Sequence, residues 1–568
     1  MELEEFIQIA RGNKAADLIL KNANVVDVLT GEINSTDVVI ADEKIAALSK
    51  GYEAERIVDL RGKFICPGFI DAHVHIESSL VPPREFARAV IPHGVTTVIS
   101  DPHEIANVLG LEGIRFMLQD AKHGPLSMYV TAPSCVPATH METSGAQLEF
   151  YDLATLLMNP WVLGLGEVMN YPGVINGDRR VLQKIQVFNG RIIDGHSPEV
   201  TGKDLNAYAS AGILSDHECT TYEEAKEKSR LGMTIFIREA TNAHNLKALL
   251  PILTTSNRRV CFCTDDRHPH DLLEQGSIDY IIRSAVNLGI DPIIAIRAAT
   301  LNPAEYFRLF DRGVIVPGKR ADLVVFSDLN NIHPEQVYRG GRLAAEHGHM
   351  LYWEQPVKGT KTRGTINVRW DKLNFSIPAE GKRIRVIGVR PDQLITDSLV
   401  EDASINSGYA VANQERDLVK LAVIERHLGS GRMGIGFIKG LGLQRGAIAS
   451  TIAHDSHNII VAGMDDESML TAVKAITSMQ GGMVVVERES IIEQLPLPIA
   501  GLMSDQPIDI VAVQHKRLVA GARSLGSPLH DPFMTMAFMS LPVIPSLKLT
   551  DLGLVDVDRF ELTRLFIS

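Results

Sequence analysis

Between Pro67 and about residue 312 the chain alternates short apolar runs with longer helix-like segments, and this rhythm limits the fold more than any other feature. A short apolar run followed by a helical stretch is a βα unit, and a series of such units builds a parallel sheet. Eight runs can be marked, at residues 69–75, 96–103, 128–132, 162–167, 191–196, 213–217, 234–239 and 260–266. Segments between and after them, such as 222–231 and 269–288, have helical composition. Eight units over roughly 250 residues predict a (β/α)8, TIM-like barrel of α/β class.

The flanks read differently. After a helical lead-in over residues 1–15, short β patterns separated by turn residues run from Ala16 to Ile65. The same style returns at Gly313 and continues to about residue 370. Each half is too small for its own core, so the two are expected to pair. The predicted division is a composite β-sandwich domain from 1–66 and 313–372, the barrel at 67–312 inserted in it, and a C-terminal α/β domain at 373–568.

The chain has 568 residues, 45% hydrophobic and 22% charged, with a formal net charge of −13. That balance is ordinary for a globular protein and argues against a nucleic-acid binder. The first twenty residues have neither a basic start nor an apolar core, and no apolar stretch reaches membrane-spanning length. Five cysteines are too few for a disulfide framework, and although Cys261 and Cys263 share a strand face, no Cys-x-x-Cys occurs. A cytoplasmic protein without membrane contact is expected.

The chemistry concentrates where the runs end, which is where barrel active sites sit. His73 and His75 stand two apart, so a strand carries both imidazoles on one face, as a metal ion requires. The later runs end in Glu167, His196, His217 and Asp265-Asp266. Six candidate ligands exceed what one catalytic ion takes from protein, so a two-metal site is expected. His73, His75 and Asp265 would hold one ion, His196 and His217 the other, and Glu167 would bridge two mutually repelling dications.

These residues carry a resemblance. Pro67-Gly-Phe-Ile-Asp-Ala-His-Val-His75, the single later histidines and the return through Ala321-Asp-Leu-Val-Val325 resemble the amidohydrolase superfamily. More narrowly, His73-Val-His-Ile-Glu-Ser-Ser79, Ser100-Asp-Pro-His-Glu104, Gly166-Glu-Val-Met169, Asp194-Gly-His196, Asp216-His-Glu218, Arg238-Glu-Ala240 and Cys263-Thr-Asp-Asp-Arg-His268 are similar to the bacterial adenine deaminase family. The long C-terminal region is similar to that family's extra domain. Many amidohydrolases carry a carboxylated lysine at the bridging position, whereas Glu167 here fits adenine deaminases and disfavours dihydroorotase-like and hydantoinase-like relatives.

The resemblance implies hydrolysis of adenine to hypoxanthine and ammonia in purine salvage or catabolism, by a metal-bridged hydroxide attacking C6. Another amidohydrolase activity, on a cyclic amide or a different amino-heterocycle, is the alternative. It implies two divalent ions, with Mn or Fe favoured over Zn, although the ligand types alone suit all three. Asp265 would shuttle the proton. Glu77, Glu104, Glu218 and Glu239 are candidates for the acid at a ring nitrogen. The sequence alone does not choose among them; Glu77 is taken as the catalytic partner of Asp265, and because it shares the strand face of the two histidines if the strand continues, support behind the ligands is its close rival role. His103, Glu104, Arg238 and Glu239 would contact substrate, with neutralisation of carboxylates the other reading of Arg238.

Other signals are weaker. His75-Ile-Glu77 lacks the Pro-Cys-x-x-Cys half of small zinc deaminases. His103-Glu-Ile-Ala-Asn107 misses the last histidine of a zinc-protease helix. Gly440 to Gly446 lacks dinucleotide-fingerprint spacing and reads as a turn. Ala453-His-Asp-Ser-His-Asn458 reads first as a strand-to-loop hydrogen-bond cluster, and second as a further metal or substrate-side element. Pro532 to Met539 reads as core or as the interface of a homo-oligomer. A non-catalytic scaffold is disfavoured, because every ligand position is filled.

Overall fold

The structure, a computed structural model, describes residues 1–122, 124–351, 362–391 and 393–567. Eight parallel strands form the barrel: β1 (Phe69–Val74), β2 (Val95–Ser100), β3 (Ser127–Ala132), β4 (Val162–Val168), β5 (Ile192–Gly195), β6 (Ser215–Asp216), β7 (Thr234–Arg238) and β8 (Val260–Cys263). Strands β1 to β5 pair in sequence, and so do β6 to β8. The ring closes at two seams. The Leu214 N–H donates to Ile193 O at 2.9 Å, and a parallel bridge joins Val74 to Asp265. The strands are almost wholly buried, as apolar runs covered on both faces must be. A helix follows each strand, among them Pro83–Val90, Tyr222–Arg230 and Ile278–Asn287. Thr221 caps the second of these through the Glu224 N–H.

The run at 269–288 is not one helix. Pro269–Glu274 and Ile278–Asn287 are separated at Gly276, whose φ of 107° interrupts helical geometry.

Segments before and after the barrel share a nine-stranded sheet. Its central joint is antiparallel pairing of Phe64–Pro67 with Leu323–Phe326, in register Val324↔Cys66. Residues 352–361 of the expected return segment lie outside the described residues.

The C-terminal region holds a second nine-stranded sheet, with Met433–Lys439, Val419–Ile424, Ile459–Gly463 and Ala447–Ser450 at its middle. Helices Asp466–Ser478 and Ile508–Ser524 pack on it. This region lies against the barrel: Asn458 Nδ2 donates to Thr143 O at 2.8 Å, Thr143 N to Asp551 Oδ1 at 2.8 Å, and Ser504 N to Leu80 O at 2.7 Å. One hydrophobic cluster runs through both bodies. Among the described residues no helix is long and apolar enough to cross a membrane.

Candidate metal centre

The C-terminal strand ends converge. His73 lies in β1, and His75 stands one residue past it in still-extended backbone, so both rings face one way. Their Nε2 atoms are 3.0 Å apart. Glu167 Oε1 lies 3.2 Å from His75 Nε2 and 3.7 Å from His73 Nε2. Its Oε2 lies 2.7 Å from His196 Nδ1 and 3.2 Å from His217 Nε2. Asp265 Oδ1 is 3.2 Å from His75 Nε2 and 3.8 Å from His73 Nε2. All six side chains are buried.

These residues fit a divalent cation. His73, His75 and Asp265 form one donor triad, and His73, Glu167 and His217 another, each with donor atoms within 4.8 Å of one another. His75 Nδ1 is bonded to Asp101 O at 2.9 Å, which keeps its proton there and turns the Nε2 lone pair inward. His196 Nε2 is buried without a hydrogen-bond partner. Imidazole nitrogens with two buried carboxylates are the donors that Zn, Mn and Fe accept. Burial opposes ionisation of Glu167, but His217, His196 and His75 hold its carboxyl well below the usual range. Burial also opposes the charge on His217, yet Glu167 raises it to about 9.

Asp101 supports the centre from behind: its Oδ2 accepts the Glu167 backbone N–H at 3.0 Å. Asp71 accepts the Thr264 N–H at 3.1 Å and hydroxyl at 2.5 Å, ordering the chain just before Asp265. The sequence reading gave neither residue a role. Both lie inside quoted motifs, so the signal was present without its meaning.

The four carboxylates considered for the ring acid part company. Glu77 is not on the ligand face. The chain leaves β1 into a 3-10 turn, Ile76–Ser79, closed by Leu80 in left-handed backbone (φ 60°). Glu77 Oε1 instead accepts the Ile105 N–H at 3.2 Å. Glu239 bonds the Leu246 N–H at 2.7 Å and His244 Nδ1 at 3.0 Å, away from the cavity. Glu218 is gripped on both oxygens by Arg238, which also donates to Asp265 Oδ2 at 2.8 Å. Arg238 is thereby occupied with neutralising carboxylates. Glu104 lines the cavity, with Oε1 3.3 Å from Ser78 Oγ and 3.5 Å from His454 Nδ1. His103 opens a helix (His103–Leu109) and reaches Glu167 Oε1 at 3.3 Å.

The 453–458 stretch does more than bond within its own loop. His454 and Asp455 line the same cavity as the ligands. Phe538 stacks on His454 with ring centroids 4.2 Å apart and planes at 6°. The apolar 532–539 segment is buried inside the chain, so its apolar side chains are used there and not on an exposed interface. The cavity over the ligands measures about 20 Å³, room for one water, beneath a roof of Leu394, Phe538, Leu541 and Ile544.

Residues 64–344 match the profile of the amidohydrolase family, and residues 393–561 that of the adenine deaminase C-terminal domain. An adenine deaminase of Desulfatibacillum aliphaticivorans is 49% identical over 566 residues, covering 99% of both chains. The chain belongs to the adenine deaminase family. Adenine deaminase 2 of Carboxydothermus hydrogenoformans is 48% identical over 98% of both chains. The adenine deaminase of Brucella suis is 45% identical over 98% of this chain and 96% of that one. Every roof residue, with His454 and Asp455, falls in the stretch matched by the C-terminal domain. Amidohydrolases are metal-dependent, and the strand-end donor set is this chain's candidate for the ion.

Proposed function

We propose that this chain hydrolyses adenine to hypoxanthine and ammonia, with two divalent ions at the strand ends. The observation that carries this reading is the position of Glu167, within reach of His75, His196 and His217 at once, in a chain 49% identical to an adenine deaminase. His73, His75 and Asp265 would hold one ion, His196 and His217 the other, with Glu167 between them. Bound there, Mn or Fe would acidify a water at neutral pH and offset negative charge on the purine. The composite β-domain (1–66 with 313–372), the barrel (67–312) and the C-terminal domain (373–568) belong to this reading, as does a cytoplasmic location.

The chain's own groups move the protons. Asp265 is the base. Burial resists its ionisation, but His75 and Arg238 hold the carboxyl well below its usual range, so it is ionised at neutral pH and free of a proton. It takes one proton from the attacking water and delivers it to the exocyclic amine, which leaves as ammonia. As the water oxygen bonds to C6, the C6–N1 π electrons move to N1. We assign Glu104 to meet them. Burial pushes its carboxyl up to about 8, so it carries a proton at neutral pH. N1 keeps that proton in hypoxanthine. The remaining hydroxyl proton leaves as C6=O forms, and Glu104 is reprotonated, so the atoms balance over one turnover. This assignment replaces Glu77, whose carboxyl faces the Ile105 N–H.

The test is ammonia release from adenine, against a panel of cyclic amides, by protein loaded in turn with Mn, Fe and Zn. Turnover of a cyclic amide and none of adenine would overturn the substrate. Absence of turnover with every metal, at less than one ion per chain, would overturn the enzyme.

A further inference from the structure

We propose that His454 is a positioning residue for Glu104: the C-terminal region sets its imidazole against the Glu104 carboxyl, fixing that acid at the substrate cavity and supplying the positive charge against which it releases its proton. The inference rests on the reading of Glu104 as the ring acid.

His454 is held by the 537–540 segment. Its backbone N–H donates to Ala537 O at 3.1 Å, and its carbonyl accepts Ser540 Oγ at 3.0 Å. Phe538 covers one ring face. Thus the segment that roofs the cavity also fixes the imidazole. Nδ1 then lies 3.5 Å from both Glu104 Oε1 and Asp455 Oδ1, while Nε2 is buried without a hydrogen-bond partner.

The charges around it explain why a cation is wanted there. From the barrel, Glu104 and Asp266 face the ring, joined through Ser78, whose hydroxyl lies 2.5 Å from Asp266 Oδ1 and 3.3 Å from Glu104 Oε1. From its own loop come Asp455 and His457, the latter with ring centroid 5.4 Å away. His103 in turn reaches Asp455 Oδ2 at 3.5 Å. Arg238, which also lines the cavity, is taken up by Glu218 and Asp265. A buried carboxyl crowded by other acids is too weak an acid to give its proton to a purine nitrogen, and an adjacent imidazolium corrects that. Burial and Asp266 push Glu104 up, while His454 draws it down. Burial opposes charge on His454, but Glu104, Asp455 and Asp266 raise it. While Glu104 still holds its proton, Asp455 and Asp266 support the imidazolium, and the support grows as Glu104 ionises.

The test compares wild type with His454→Gln and His454→Lys, each loaded with metal and checked for ion content. Glutamine keeps a donor for Glu104 without charge; lysine restores charge without the ring. In His454→Gln, kcat is expected to fall ~10-fold or more with KM changed less than ~3-fold, as for a lost proton-transfer aid. The alkaline limb of the kcat profile should move to higher pH, because Glu104 becomes the weaker acid, and His454→Lys should bring it back. Infrared difference spectroscopy supplies a readout independent of turnover. The protonated carboxyl band that disappears in Glu104→Gln should titrate at higher pH in His454→Gln than in wild type. An unmoved midpoint overturns the proposal, even if the wild type proves inactive on adenine. A kcat loss wholly explained by lost metal, with that midpoint unmoved, overturns it as well.

Discussion

The backbone N–H of Glu167 donates to Asp101 Oδ2 at 3.0 Å, and Gly166, the residue before Glu167, faces the same carboxylate. A Cβ at position 166 would lie 2.1 Å from that same oxygen. Glycine is therefore required for the Asp101 carboxylate to approach β4. The Asp101 backbone carbonyl meanwhile bonds His75 Nδ1 at 2.9 Å, so Asp101 orients two ligands, His75 and Glu167.

Gly166→Ala is expected to displace Asp101, costing about 1–3 kcal/mol of stability from the forced fit. Asp101→Ala, which leaves the backbone unobstructed, should lower metal affinity ~10- to 100-fold, as loss of groups behind the ligands does. Ion content by mass spectrometry after dialysis, with the melting temperature alongside, checks both. Full metal occupancy in both variants would remove Asp101 from the support of the centre.

Asp265 and Glu167 should separate by phenotype. Asp265→Asn keeps an oxygen for Arg238, and it should lower kcat by ~10²- to 10⁴-fold, with much of the substrate binding kept. Glu167→Ala removes the carboxylate shared by three histidines and should lower ion content first, with activity following it. Turnover against ion content for each variant tells the two roles apart. Near-normal turnover in Asp265→Asn would move the base to Asp266, which lines the same cavity.

A purine does not fit a cavity of about 20 Å³, so the roof must move to admit one. Backbone amides over 538–544 should exchange with solvent faster in the free protein than in the presence of adenine or hypoxanthine, because local opening is the entry step. Hydrogen-exchange mass spectrometry with and without saturating hypoxanthine measures this. Equal exchange in both states would place entry elsewhere.

The barrel was legible because its signals are local. Strand ends such as Asp194-Gly-His196 and Asp216-His217 carry both the apolar run and the ligand within a few residues. Glu77 was misplaced by one local event, the 3-10 turn Ile76–Ser79 into which the chain leaves β1. Asp101 acts through its own backbone carbonyl on His75 and through its side chain on the Glu167 backbone N–H, contacts that periodicity does not encode. His454 meets Glu104 across 350 positions of sequence. Only packing of the C-terminal region on the barrel brings them together, so a loop histidine and a barrel carboxylate looked unrelated.

Lys548 tethers the roof, and its cost should be visible in the pH dependence of stability. It is wholly buried in the strand Leu547–Thr550, and its Nζ donates to the carbonyl of Leu394, a roof residue, at 2.8 Å. Burial pulls its ammonium from 10.5 down to about 7. Between those values the folded chain holds the amine neutral while the unfolded chain holds it charged. The unfolded state then binds more protons, so this group makes stability rise with pH from about 7 to 10.5. Below about pH 7 the cost is complete, and above 10.5 it vanishes. Lys548→Met removes the group, so the variant should gain on wild type as pH falls through that window, by about 1.4 kcal/mol per pH unit at most. Loss of the bond to Leu394 O lowers the variant's whole curve without changing this slope. Urea midpoints for both proteins between pH 7 and 10 decide it, and parallel curves would show that the amine stays charged in the fold.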